Sequence, residues 1–163
     1  MRGIGLHVAI AVLVLATGCS SGSRPPHVGS AAIDFTVSDS DHSVSLSQFR
    51  GQVLILNFWA TWCTPCTQEL PSLMDMQEHM RSRGVVVLGV SIDIDNDAYH
   101  RFLKVRNVNF LTVRDPEQKV AAMYGTAGWP ETYIIDRQGV MRRKIIGPIN
   151  WDAPEVTQFL SKL

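Results

Sequence analysis

At 163 residues the chain has room for one domain with one continuous core and short appendages. Apolar residues make up 45% and charged residues 18%, the balance of a folded globular protein and not of a disordered one. Fifteen Lys and Arg offset fifteen Asp and Glu, so there is no global basic field for nucleic acid, and the run Arg142-Arg143-Lys144 reads as a solvated strand edge.

Arg2 is followed by an almost wholly apolar stretch from Ile4 to Ala16, with His7 the exception. That run falls short of the ~20 residues a transmembrane helix needs, but it suits the hydrophobic region of a signal peptide. It ends in Leu15-Ala16-Thr17-Gly18-Cys19, which resembles the bacterial lipobox, with its leucine one place earlier than the commonest arrangement. Residues 1–18 therefore read as a lipoprotein signal peptide and Cys19 as the lipidated residue; an uncleaved N-terminal anchor is the alternative. Ser20 to Ser30 is rich in Ser, Gly and Pro, so residues 19–30 read as a flexible tether and residues 31–163 as the folded domain.

Ile33, Phe35 and Val37, then Val44 and Leu46 beyond the turn at Asp39-Ser40-Asp41, alternate with polar residues and predict a short hairpin. Val53 to Ala60 is a dense apolar run, as in a strand covered on both faces. Cys63 to Arg83 predicts a helix packed through Leu70, Leu73, Met74 and Met80, kinked at Pro71 and stopped by Gly84. Val85 to Ile92 reads as a second buried strand, followed by a helix carrying Tyr99, Phe102 and Leu103 and capped by Asp95, Asn96 or Asp97. A short strand is expected at Phe110 to Val113 and a helix from Pro116 through Met123. Strands at Thr132 to Ile135 and Val140 to Ile146 flank the turn at Asp136-Arg137-Gln138-Gly139, and Trp151 to Leu163 predicts a closing helix. The order predicts an α/β fold, a sheet with helices on both faces.

The chemistry sits in Asn57-Phe58-Trp59-Ala60-Thr61-Trp62-Cys63-Thr64-Pro65-Cys66-Thr67-Gln68-Glu69-Leu70-Pro71. A buried strand delivers Cys63 to a helix start, where unpaired N–H groups and the helix dipole favour a thiolate. That thiolate is the nucleophile of disulfide exchange, and Cys66, one turn on, is placed to resolve the mixed disulfide. A zinc ribbon would need a second ligand pair, which scattered histidines at 27, 42, 79 and 100 do not supply, so no metal is expected. An inert bridge would close almost no loop and gain little. Asp93 to Asp97 begins like a calcium loop but has Ala98 and Lys104 where glycine and glutamate are required, so a cap and turn is expected.

The motif NFWATWCTPC, with Glu69 and Pro71 after it and Gly128-Trp129-Pro130-Glu131-Thr132 later, resembles the TlpA/ResA-type thioredoxin-like oxidoreductases, close to the CcmG/DsbE proteins of cytochrome c maturation. The resemblance covers residues 31 to 163. It implies a thioredoxin-like fold, a central mixed sheet flanked by helices, with the N-terminal hairpin as an extension. It implies a cis peptide before Pro130, shaping a substrate groove with Trp62, Thr64, Pro65 and Trp129, and Thr64 and Pro65 tuning the potential. Glu69 shares the helix face of Cys66, and the resemblance makes it a half-buried carboxylate that relays protons. Asn57 stands where thioredoxins proper carry a buried aspartate, which leaves Glu69 as the acceptor.

The resemblance further implies a reductant of protein disulfides on the periplasmic side of the cell envelope. It needs no cofactor beyond the dithiol, takes electrons from an upstream membrane thiol donor, and has apocytochrome c as a candidate substrate. Two other functions share related folds. A peroxiredoxin-like peroxidase would need Pro-x-x-x-Thr-x-x-Cys, but Asn57 replaces the proline and the Thr61–Cys63 spacing is short. A metallochaperone of the Sco type would need CxxxC and a distal histidine, both missing.

Overall fold

The computed structural model describes residues 25–163, so the signal segment, Cys19 and the start of the tether lie outside it. Alternation in the buried strand β3 (Val53–Trp59) organises the domain. Val53 and Ile55 point to one face and Leu54, Leu56 and Phe58 to the other, and all are buried, so both sheet faces must be covered.

The first face meets α1 (Thr64–Met80) through Leu70, Leu73, Met76 and Met80, and α4 (Pro154–Leu160) through Leu160. The second is covered by α3 (Lys119–Tyr124) and by the hairpin of β1 (Thr36–Ser38) and β2 (Ser43–Ser45), which contribute Val120, Ala121, Tyr124, Val37 and Val44. β3 pairs in parallel with β4 (Val85–Ser91), which pairs in parallel with β5 (Leu111–Arg114); β6 (Glu131–Ile135) is antiparallel to β3, and β7 (Met141–Ile146) to β6. The spatial order is β5-β4-β3-β6-β7, a mixed five-stranded sheet of the thioredoxin-like type. Helix α2 (Asn96–Arg106) joins β4 to β5 and is capped by Asp95, whose Oδ1 accepts the Ala98 N–H at 2.9 Å.

Several boundaries differ from the sequence expectation for identifiable reasons. Helix α1 runs as one element through Pro71, which is exposed, and its last turn tightens into a 3-10 turn at Arg81–Arg83 before Gly84 (φ 74°). Met74 is only partly buried, whereas Met76 and Gln77 are buried, and the Gln77 side chain accepts the Val87 N–H at 2.6 Å. Pro116 does not open α3. Gln118 adopts φ 57°, and Asp115 instead accepts the N–H groups of Lys119 (3.1 Å) and Val120 (2.7 Å). The closing helix starts at Pro154, the proline occupying its first turn, so Trp151 lies in the preceding turn, wholly buried. The basic run on β7 is exposed but engaged: Arg142 with Asp136, Arg143 over Phe159 at 4.1 Å, and Lys144 with Glu131 at 2.9 Å.

Candidate active site

β3 leads through Ala60–Trp62 into α1, and Cys63 is the residue that caps the helix: its Sγ accepts the Cys66 N–H at 3.3 Å. The two cysteines form a disulfide with Cα atoms 5.3 Å apart. Cys63 is 6% exposed and Cys66 2%, so the expected ranking holds while both are largely covered in the oxidised state. A sulfur at this position, with an N–H already aimed at it, is where negative charge is best tolerated once the bridge opens.

The loop before the dithiol is fixed from β4. Asp93 is buried, and its carboxylate accepts the Thr61 N–H (2.9 Å), the Thr61 hydroxyl (2.6 Å) and the Ser91 hydroxyl (2.6 Å). The sequence offered Asp93 only as part of a turn; its role depends on a partner 32 residues away. Behind the loop, the Trp59 indole N–H and the Tyr99 hydroxyl both donate to Thr112 Oγ1, at 3.2 and 3.1 Å, so Trp59 is packed core.

Around the sulfurs, Trp62 is 64% exposed, Thr64 and Pro65 are exposed, and Trp129 packs partly buried against the cluster holding both cysteines. The Trp129–Pro130 peptide is cis. Glu131 pairs with Phe58 of β3, so this peptide lies at the dithiol end of the sheet.

Glu69 is deeper than the half-buried position expected: 4% of it is exposed. Its Oε1 accepts the Asn57 amide N–H at 3.0 Å, and that amide also donates to Thr132 Oγ1 at 2.8 Å. Its Oε2 accepts the Trp151 indole N–H (3.1 Å) and the Ile149 N–H (3.3 Å). Burial disfavours the charged carboxylate and outweighs these three donors, so Glu69 is held above the usual carboxylate range. Asn57 is thus not merely a missing acid; it fixes the carboxylate that is present. A solvent-open groove of about 400 Å³ lies beside this turn of α1, lined by Glu69, Gln68, Ser72, Pro148 and Asn150. Nothing in the sequence near Trp151 marks it for the site, because it meets Glu69 across 82 residues.

One further group of ligand-type side chains exists among the described residues, Asp39, Asp41 and His42 in the β1–β2 turn. The Asp39 carboxylate there is already engaged by the backbone N–H groups of Asp41, His42 and Arg114, as a turn requires.

Comparison with known proteins agrees with this geometry. Residues 28–144 match the AhpC/TSA family. The thiol-disulfide oxidoreductase ResA of Bacillus subtilis is 32% identical over 128 residues, covering 78% of this chain and 72% of its own. That of Geobacillus kaustophilus is 33% identical over 121 residues, covering 74% and 70%. Among solved structures, a protein described as a putative thiol:disulfide interchange protein DsbE from Chlorobium tepidum superposes with a TM-score of 0.73 at 30% identity, over 84% of this chain and 94% of that one. A secreted thiol-disulfide isomerase from Corynebacterium glutamicum gives 0.71 at 25% identity, over 80% and 85%. The chain belongs to the AhpC/TSA family of thioredoxin-fold proteins and is, with its ResA relatives, a thiol-disulfide oxidoreductase.

Proposed function

We propose that the protein reduces disulfides of other proteins outside the cytoplasm, held to a membrane by a lipid on Cys19. The observation that carries this reading is the Cys63–Cys66 disulfide at the start of α1, with a buried carboxylate one turn further along. In the reduced protein the Cys63 thiolate attacks one sulfur of a substrate disulfide, the substrate S–S bond breaks, and the departing thiolate takes up a proton. Cys66 then gives its proton to Glu69 and attacks Cys63 Sγ, closing the internal disulfide and expelling the second substrate sulfur as a thiolate, which takes up a proton. Two electrons pass to the substrate, and a thiol donor on the membrane restores the dithiol. Trp62, Thr64, Pro65, Trp129 and Pro130 form the contact surface for the incoming polypeptide.

The reducing direction, and the haem-binding cysteines of an apocytochrome c as substrate, are proposed from the resemblance of the NFWATWCTPC and Trp129-Pro130-Glu131-Thr132 motifs to the TlpA/ResA and CcmG/DsbE proteins. A location beyond the cytoplasm is supported by the signal-like segment of residues 1–18 and by the likeness to the secreted Corynebacterium protein. No helix among the described residues is long and apolar enough to cross a membrane.

The midpoint potential of the Cys63–Cys66 couple tests the direction. A value near the thioredoxin end of the range, about −270 to −200 mV, fits a reductant, whereas one close to about −120 mV would make the protein an oxidant. Turnover of hydrogen peroxide at rates matching disulfide reduction would instead favour the peroxidase reading.

A further inference from the structure

Trp151 does more than fill the core between α1 and α4. Its indole N–H reaches Glu69 Oε2, and its backbone N–H donates to Ser72 Oγ at 3.1 Å. The Ser72 hydroxyl in turn donates to the carbonyl of Glu69 at 2.9 Å. The segment ahead of α4 is therefore fastened to the same turn of α1 through both the side chain and the main chain of Glu69.

We propose that Trp151 is a positioning residue whose indole N–H fixes the Glu69 carboxylate for proton exchange with the dithiol. The inference rests on the reading of Glu69 as the proton acceptor given above. The two oxygens of Glu69 have different jobs. Oε1 is anchored to the sheet through Asn57 and Thr132. Oε2 is anchored to the 149–151 segment, whose Ile149 and Asn150 also line the groove beside Glu69.

Among the described residues, no charged side chain bonds to the carboxylate. β3 and β6 present neutral Asn57 and Thr132, the 149–151 segment presents an indole and an amide, and the only ionisable groups on its own helix near the start are Cys63 and Cys66. Asp152 and His79, which also bridge that segment to α1, bond to each other at the surface at 3.0 Å. With no cation bonded to it, N–H donors alone oppose the cost of burial, and each counts heavily. A phenylalanine would fill most of the same apolar space, so packing alone does not call for the indole nitrogen.

The test is a carboxyl titration by NMR on protein labelled with ¹³C at the glutamate side-chain carboxyl, the Glu69 signal being the one lost in Glu69→Gln. In Trp151→Phe the ionised form loses a donor, so the Glu69 midpoint rises by about one pH unit or more. The pH profile of disulfide reductase turnover moves to higher pH with it, and that displacement vanishes when Trp151→Phe is made in the Glu69→Gln protein. A folded Trp151→Phe protein with an unmoved midpoint, whatever its melting temperature, would overturn the proposal. If Trp151→Phe does not fold, Ser72→Ala loosens the same segment and moves the midpoint the same way by a smaller amount; an unmoved midpoint there overturns the proposal equally. Should Glu69→Gln leave the turnover profile unchanged, the reading of Glu69 fails, and the carboxyl midpoints still report separately on Trp151.

Discussion

Cys66→Ser accumulates substrate as a mixed disulfide on Cys63, while Cys63→Ser lowers turnover on the order of a thousandfold or more. The asymmetry follows from position. Cys63 caps α1 and keeps the greater share of exposure, whereas Cys66 lies inside the first turn with its own N–H directed at the Cys63 sulfur. Attack on an external disulfide therefore belongs to Cys63, and only resolution belongs to Cys66. Non-reducing electrophoresis and peptide mapping of the trapped species check this. Trapping by Cys63→Ser through Cys66 would reverse the assignment.

The second large effect concerns Glu69. Burial raises its proton affinity in the folded state above that of an unfolded glutamate, which titrates near 4.5. A folded state that binds the proton more tightly is favoured when the proton is available. This contribution is fully present below about pH 4.5 and is lost as pH rises through the folded-state value. Glu69→Gln has no such proton to lose. Its stability relative to wild type should therefore increase between pH 4.5 and the folded-state value, by about 1.4 kcal/mol for each unit by which burial raises the carboxyl, and then level off.

A glutamine side chain can be accommodated here because its carbonyl oxygen can still accept from Trp151 and Ile149, while rotation of the Asn57 amide offers an acceptor to its N–H₂. Glu69→Ala has no such escape. It leaves the donors of Asn57, Trp151 and Ile149 without their acceptor, at about 1–3 kcal/mol for each one that stays unpaired. Urea unfolding of wild type and Glu69→Gln from pH 4 to 8 decides the matter. A gap between the two that stays constant with pH would show that the carboxyl titrates as it does in the unfolded chain.

Local pattern carried much of the fold into view. The alternation of Val53 and Ile55 against Leu54, Leu56 and Phe58 needs helices on both faces, and both are present. Cys63 and Cys66 were legible because their chemistry depends on neighbours within one helical turn. What stayed hidden depends on long-range contact. The Trp151 indole meets Glu69 across 82 residues, and Asp93 meets Thr61 across 32, so neither bond leaves a periodic trace. The apolar pattern from Trp151 onward suggests that Trp151 belongs to the closing helix, although Pro154 is a helix-start signal three residues later. At α3 the visible proline misled: Pro116 is a turn residue, and the helix waits for the positive φ of Gln118. Asn57 is visible in the sequence as a substitution, but its value as a donor to both Glu69 and Thr132 depends on the antiparallel partner β6.

The position of one sulfur at the head of α1 is the central physical claim, and alkylation of the reduced protein tests it most directly. With iodoacetamide limiting, across pH 5 to 9, the adduct should map to Cys63 with a midpoint below the ordinary thiol value of about 8.5. Modification first at Cys66, or at Cys63 with an ordinary midpoint, would contradict the account.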